Sequence, residues 1–210
     1  MRQSQHKKSS RRWLDEHHHD LYVAKSKREG YRSRAAYKLM ELQKKDGLFK
    51  PGMTVVDLGA SPGGWSQILT RFVTEKGRVF ALDILEMTPI ANVTFIRGDF
   101  TEDGPYQALL QLTEGKTIDW VISDMAPNMS GHKSTDQARG MYLVELALEF
   151  AEVTLKTKGN FLAKVFQGEG FDAFVNALRK KFHKVLIRKP EASRARSSEV
   201  YVIALSKKAN

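Results

Sequence analysis

Asp83, Asp99 and Asp124 each stand at or just beyond the end of an apolar, strand-like run, and Lys164 sits inside another. A fourth run, Val55 to Leu58, ends in the turn Gly59-Ala60-Ser61-Pro62-Gly63-Gly64. Carboxylates accept hydrogen bonds from hydroxyl and amino groups, and glycine lets a backbone approach a ligand without a Cβ clash. One acid at a strand end is ordinarily a cap or turn residue. Three of them after successive strands, beside a glycine turn, read as one ligand pocket. Asp83 lies 24 residues after Gly59, where doubly wound folds place a carboxylate on ribose hydroxyls. Asp99 suits the exocyclic amine of adenine. Asp57, just before the turn, suits an amine-bearing end of the same ligand. The turn is neither the GxGxxG of dinucleotide enzymes nor a GxxxxGK[ST] phosphate loop.

Lys164 is flanked by Phe161, Leu162, Val165 and Phe166. An idle charge there would be expensive to bury, so the position reads as functional. Arg34 and Lys38 are four apart and share a helical face, with Arg32 close by. His17-His18-His19 could suggest a metal site. Three consecutive histidines point in different directions, and no carboxylates are spaced to join them, so a polar surface turn is expected.

Those residues need a scaffold that gathers strand ends. Strands are predicted over 55–58, 78–83, 92–96, 118–123, 160–166, 185–189 and 200–205. Helices are predicted over 20–45 in two pieces broken near Gly30, then 64–73, 105–112, 138–155 and 171–182. The alternation implies a parallel sheet covered on both faces, with ligands beyond the carboxyl ends of its strands. The final two strands are joined by a short basic loop, Pro190 to Ser198, and are expected to be antiparallel. The expected fold is therefore α/β: a doubly wound, mostly parallel seven-stranded sheet with an antiparallel last strand.

The 210 residues carry a formal charge of +10, unevenly placed. Residues 1–50 hold 14 Lys/Arg against 6 Asp/Glu, residues 51–178 hold 10 against 16, and residues 179–210 hold 10 against 2. Two basic ends flanking an acidic middle fit a polyanion partner, with Met1 to Arg12 as an arm that orders on a phosphate backbone. The absence of cysteine excludes disulfides and cysteine nucleophiles and fits a reducing compartment. No apolar run reaches membrane-spanning length, so no membrane partner is expected.

SRAAYKL at 33–39, VVDLGASPGGWSQ at 55–67, SDMAPNMSG at 123–131, AKVFQGEGF at 163–171 and RKPEASRARSSEVY at 188–201 follow one another along nearly the whole chain. In these motifs the sequence resembles the FtsJ-type ribosomal RNA large-subunit methyltransferases. The resemblance implies a Rossmann-like fold that uses S-adenosylmethionine, with no metal. It implies transfer of a methyl group to the ribose 2′-hydroxyl of a uridine in large-subunit ribosomal RNA, within the assembled subunit. The family's catalytic set falls on Lys38, Asp124, Lys164 and Glu199, with Lys164 as proton acceptor and Glu199 positioning one of the two lysines. Its cofactor contacts fall on Gly63, Trp65, Asp83, Asp99 and Asp124. Arg32, Arg34, Arg194 and Arg196 are expected to hold RNA, aided by Arg188 and Lys189. Residues 1–50 would form a basic RNA-binding extension and residues 51–210 the transferase domain of a cytoplasmic monomer. Ser61 stands where the family is expected to have alanine, a small change from which little effect is expected.

Three other methyl-transfer readings are weaker. Enzymes that methylate base amino groups resemble one another in a [DN]PP[YFW] turn after strand four, and here the turn is Asp124-Met125-Ala126-Pro127-Asn128. Methylation at pyrimidine C5 through a cysteine is excluded. A small-molecule enzyme has no need of two strongly basic ends. A non-catalytic RNA-binding assembly factor would have no use for the intact set of two lysines and two acids.

Overall fold

The computed structural model describes residues 21–194 and 196–209. The basic arm Met1 to Arg12 and the histidine triplet at 17–19 lie outside them. Seven strands form one sheet: β1 Thr54–Leu58, β2 Arg78–Asp83, β3 Val93–Arg97, β4 Ile118–Ser123, β5 Leu155–Phe166, β6 Phe182–Arg188 and β7 Glu199–Lys207. Their order across the sheet is β3-β2-β1-β4-β5-β7-β6. Only β7 runs against the others, inserted between β5 and β6. The expected doubly wound sheet with an antiparallel last strand is the observed one.

Residues alternate between the two faces of the sheet, as the strand period of two requires. Val56, Leu58, Phe80, Leu82, Val121, Phe161, Ala163, Val165, Val202 and Ala204 share one buried cluster. Helices α4 Asp103–Thr113, α5 Lys133–Thr154 and α6 Phe171–Lys181 cover that face. Val55, Val79, Trp120, Ile122, Leu162, Tyr201 and Ile203 share a second cluster on the opposite face. Helices α2 Ala35–Asp46 and α3 Gly64–Val73 cover it, and α1 Leu21–Arg28 precedes them. Burial on both faces explains why the strands read as apolar runs rather than as clean alternation.

Most boundaries fall within three residues of expectation, and two differ by five. Helix α5 starts at Lys133 rather than 138, because buried Asp136 in its first turn accepts Ser130 N at 2.7 Å, Ser130 Oγ at 2.7 Å and Gly131 N at 3.0 Å. Those bonds organise the polar entry segment into the helix. Strand β5 starts at Leu155 rather than 160, with a register irregularity opposite Asp119 that its Lys-rich opening hides.

The basic segment before residue 50 is not merely attached to the outside. Ala36, Leu39, Leu42, Leu48 and Phe49 are buried in the same cluster as Trp65, Ile68 and Trp120. Arg188 clamps the far end of α2 by donating Nε and Nη2 to the two Asp46 carboxylate oxygens at 2.9 and 2.7 Å. Glu41 accepts the backbone N–H groups of Glu191 and Ala192 at 2.6 and 3.1 Å. Among the described residues no helix is long and apolar enough to cross a membrane. Because Leu39 is fully buried at this seam, Leu39→Ala is expected to cost about 2–5 kcal/mol of stability, measured by urea unfolding. A surface-like cost below about 0.5 kcal/mol would show that α2 is an appendage.

Candidate active site

The site is assembled by strand register. Ser123 ends β4 opposite Leu58 of β1 and Ala163 of β5, and the next residue, Asp124, donates its N–H to Leu58 O at 3.0 Å. Lys164 therefore emerges from β5 beside Asp124. Its Nζ donates to the Asp124 carbonyl at 2.6 Å and lies 3.1 Å from carboxylate Oδ1. Across the β5–β7 ladder, Lys164 is paired directly with Tyr201. The Tyr201 hydroxyl donates to Asp124 Oδ1 at 2.9 Å and receives an N–H from Lys38 Nζ at 3.1 Å. Lys38 also binds Glu199 Oε1 at 2.6 Å, and Ser193 Oγ donates to that oxygen at 3.0 Å. Lys38, Asp124, Lys164 and Glu199 are thus brought into one chain of contacts. Glu199 holds Lys38, and Asp124 holds Lys164.

Tyr201 is the link that spacing did not reveal. It is fully buried, and burial holds its phenol well above the ordinary tyrosine range, with the Asp124 and Glu199 charges adding to the effect. It therefore stays a neutral hydroxyl that can donate and accept at once. The available signal was a hydroxyl two residues from Glu199, on the same strand face, in the otherwise apolar run Val200 to Leu205.

On the other side of Asp124 lies a cavity of about 590 Å³, in the size range of small-ligand sites. Gly59, Ser61, Asp83, Asp99 and Asp124 all line it, as do Ile84 and Leu85, Phe100, Arg139 and Tyr142, which spacing did not single out. A Cβ on Gly59 would meet Met125 backbone and side-chain atoms at 2.8–2.9 Å, and its φ is +77°, so only glycine serves there. Asp83 is held by Ser61 N at 2.9 Å and Leu85 N at 2.8 Å. Asp99 Oδ1 receives the N–H and hydroxyl of Thr101 at 2.9 and 2.7 Å. Both carboxylates are fixed by backbone yet keep lone pairs for a ligand. The Ser61 hydroxyl donates to Glu86 O at 3.0 Å, fastening the turn to the segment after β2. Among the described residues no group of three His, Asp or Glu side chains is placed to hold a metal ion.

Several expected contacts are placed elsewhere. Asp57 does not reach the cavity. It is fully buried behind the turn, accepting Ser66 Oγ at 2.7 Å, with its other oxygen unpartnered. Gly63 and Trp65 do not line the cavity either. Gly63 makes the left-handed step into α3 at φ +102°, while the Trp65 ring is buried and donates Nε1 to Ala35 O at 2.9 Å. Arg32 is spent on structure: its guanidinium donates to the carbonyls of Pro62, Thr88 and Pro89, locking the glycine turn to the segment after β2. Arg188 is likewise committed to Asp46 rather than left for phosphate. Arg34 donates to Ala192 O; burial and the nearby Arg194 hold its guanidinium below the ordinary arginine range. Arg34 and Arg194 are thus close together beside the lysine–carboxylate chain, and Arg196 is exposed in the same loop.

Two consequences follow for the ligand-free protein. Burial, reinforced by the Asp124 and Asp83 charges, pushes the Asp57 carboxyl up to about 7. Its folded state holds the proton more tightly than the unfolded chain, so this group removes stability as pH rises from about 4 to about 7. Asp57→Asn should gain stability relative to the parent across that window, by up to about 4 kcal/mol, as read from urea midpoints at successive pH values. A constant difference would mean that Asp57 is not held protonated. Tyr201→Phe should cost about 1–3 kcal/mol, because it strands one hydrogen-bonding group on each neighbour. Thermal unfolding of the two proteins checks this.

The model of the FtsJ-like methyltransferases matches residues 31–207. A protein of Chromohalobacter salexigens named ribosomal RNA large subunit methyltransferase E is 61% identical over 203 residues, covering 97% of each chain. One of the same name from Hydrogenovibrio crunogenus is 58% identical over 202 residues, covering 96% of this chain and 98% of its own. Among solved structures, a Plasmodium falciparum protein described as a ribosomal RNA methyltransferase superposes with a TM-score of 0.77. It shares 29% identity and covers 86% of this chain and 100% of that one. The match runs through every strand of the sheet and both halves of the lysine–carboxylate chain, and this protein belongs to the FtsJ-like methyltransferase family.

Proposed function

We propose that this protein transfers a methyl group from S-adenosylmethionine to the ribose 2′-hydroxyl of a uridine in large-subunit ribosomal RNA, within the assembled subunit. One observation carries the reading. Asp124 separates two chemically different spaces, an acid-lined cavity on one side and two fixed amines on the other. The names of the close relatives supply the RNA class.

The residues present fit the cofactor. Asp83 offers acceptors to a ribose diol and Asp99 an acceptor to an adenine amine, with Gly59 and Ser61 forming the wall beside them. Gly63 and Trp65 act less directly, by shaping the turn and seating α3. When bound, the sulfonium supplies an already activated methyl group. What remains for the protein is alignment of a sugar oxygen and removal of its proton.

Lys164 is the proton acceptor. Two of its three hydrogen-bond positions are taken by Asp124, leaving one for a sugar hydroxyl. It must enter as the neutral amine, since an ammonium has no lone pair. Asp124 orients it and marks the boundary that the methyl group crosses. Lys38, fixed by Glu199 and Tyr201, holds the target nucleotide. The segment before residue 50, packed into the core through α2, presents Arg34, which with Arg194 and Arg196 meets phosphates next to the target. Arg32 contributes by holding the glycine turn.

Lys164→Ala should abolish methyl transfer, a loss of at least about 100-fold, with cofactor affinity by calorimetry nearly unchanged. Substantial residual activity would remove Lys164 as base. Mapping where labelled methyl groups appear on ribosomal subunits tests the substrate. Label on a base, or on no RNA at all, would overturn the reading.

A further inference from the structure

The strands carry the catalytic residues at one pole of the sheet, and a second concentration of cations lies at the other. Lys207 closes β7 and pairs with Phe182, the first residue of β6. Along the β5–β7 ladder this is the end away from the pair Lys164 and Tyr201. Lys180, Lys181, Lys207 and Lys208 line a concavity there of about 250 Å³, with Glu152 as the only carboxylate side chain among its described walls.

Helix-end chemistry explains part of this cluster. Lys208 Nζ donates to the carbonyls of Arg179 and Lys180 at 3.1 and 3.0 Å, satisfying the end of α6. Lys207 donates in the same way to the carbonyls of Glu152 and Leu155. Capping needs only one cation at each helix end, and four stand here. Lys181 takes up the one carboxylate, at 2.8 Å from Glu152. The Lys180 side chain is exposed, and its ammonium makes no hydrogen bond or ion pair among the described residues. Burial and the adjacent Lys181 hold the Lys207 ammonium below the ordinary lysine range, against the pull of Glu152. A cluster in that condition is short of negative charge. Two of its lysines are already fixed by carbonyls, so little side-chain freedom is lost when an anion arrives.

We propose that this pole is a second contact for the phosphodiester backbone of folded RNA, remote from the target nucleotide. The proposal rests on the RNA reading above and adds to it. With cations at both ends of the sheet, the preferred substrate is a folded RNA large enough to reach both. A short fragment carrying only the target segment engages one pole.

The test compares methylation of intact large ribosomal subunits with that of a short RNA fragment containing the target segment. Lys180→Glu, at an exposed position, is the fold-safe variant, and Lys180→Glu with Lys208→Gln is the stronger one. On subunits both should raise KM, the double variant about 10-fold, with kcat unchanged, and should lessen the dependence of affinity on salt by about one phosphate contact per lysine. On the fragment neither should change KM. Thermal unfolding checks that each variant is folded. An unchanged KM on subunits, or an equal rise on both substrates, overturns the second contact while leaving the catalytic reading intact. If the parent protein methylates neither substrate, the catalytic reading itself is what fails.

Discussion

The pairing of β7 between β5 and β6 is the constraint on which the rest depends. It sets Lys164 directly across from Tyr201 and brings Glu199 to the mouth of the site. Shifting that register by one residue would turn every side chain of β7 to the opposite face. Tyr201 would then point into the aliphatic cluster under α5, and Lys38 and Asp124 would lose the hydroxyl that joins them. Burial on both faces resists such a slip: Val200, Val202 and Ala204 on one side and Tyr201 and Ile203 on the other are all fully or almost fully buried, so both cores would have to repack. Packing energy in the sheet therefore guards the geometry of a polar chain that could not guard itself.

That polar chain is buried deeply enough for each member to need its neighbours. Lys38 is 9% exposed and Tyr201 not at all. A buried charge is tolerated when it is paired and hydrogen-bonded. Here Lys38 has a carboxylate and a hydroxyl, while Lys164 has a carboxylate and a carbonyl. One tyrosine oxygen serves both halves. Rigidity on one side of Asp124 contrasts with the open, partly apolar rim of the cavity on the other, where Ile84, Leu85 and Tyr142 are exposed.

The architecture and the strand-end acids were legible in the sequence because they depend on local pattern. Apolar runs ending in Asp83 and Asp124, a third followed by Asp99, and a glycine turn after β1 are all visible within a few residues. What spacing could not give was how distant partners use each other. Lys38 and Glu199 are 161 residues apart, and Arg188 and Asp46 are 142 apart. Arg32 and Arg188 read as phosphate ligands because a guanidinium looks the same in sequence whether it faces a phosphate, a carbonyl or a carboxylate. Asp57 looked like a ligand contact because adjacency to a turn does not tell which side of the strand a side chain takes. The buried stripe of α2, Ala36, Leu39 and Leu42 with Met40 beside it, was legible from its helical spacing; that it joins the cluster of Trp65 and Trp120 was not.

The long reach between Lys38 and Glu199 carries a consequence for how the protein comes into being. Lys38 is translated 161 residues before Glu199. Until β7 has left the ribosome and inserted itself beside β5, Lys38 has no carboxylate and Asp124 no hydroxyl. A nascent chain can thus assemble the glycine turn and the other six strands while Lys38 and Asp124 stay unconnected. Their connection arrives as a single event, when β7 fills the gap between β5 and β6.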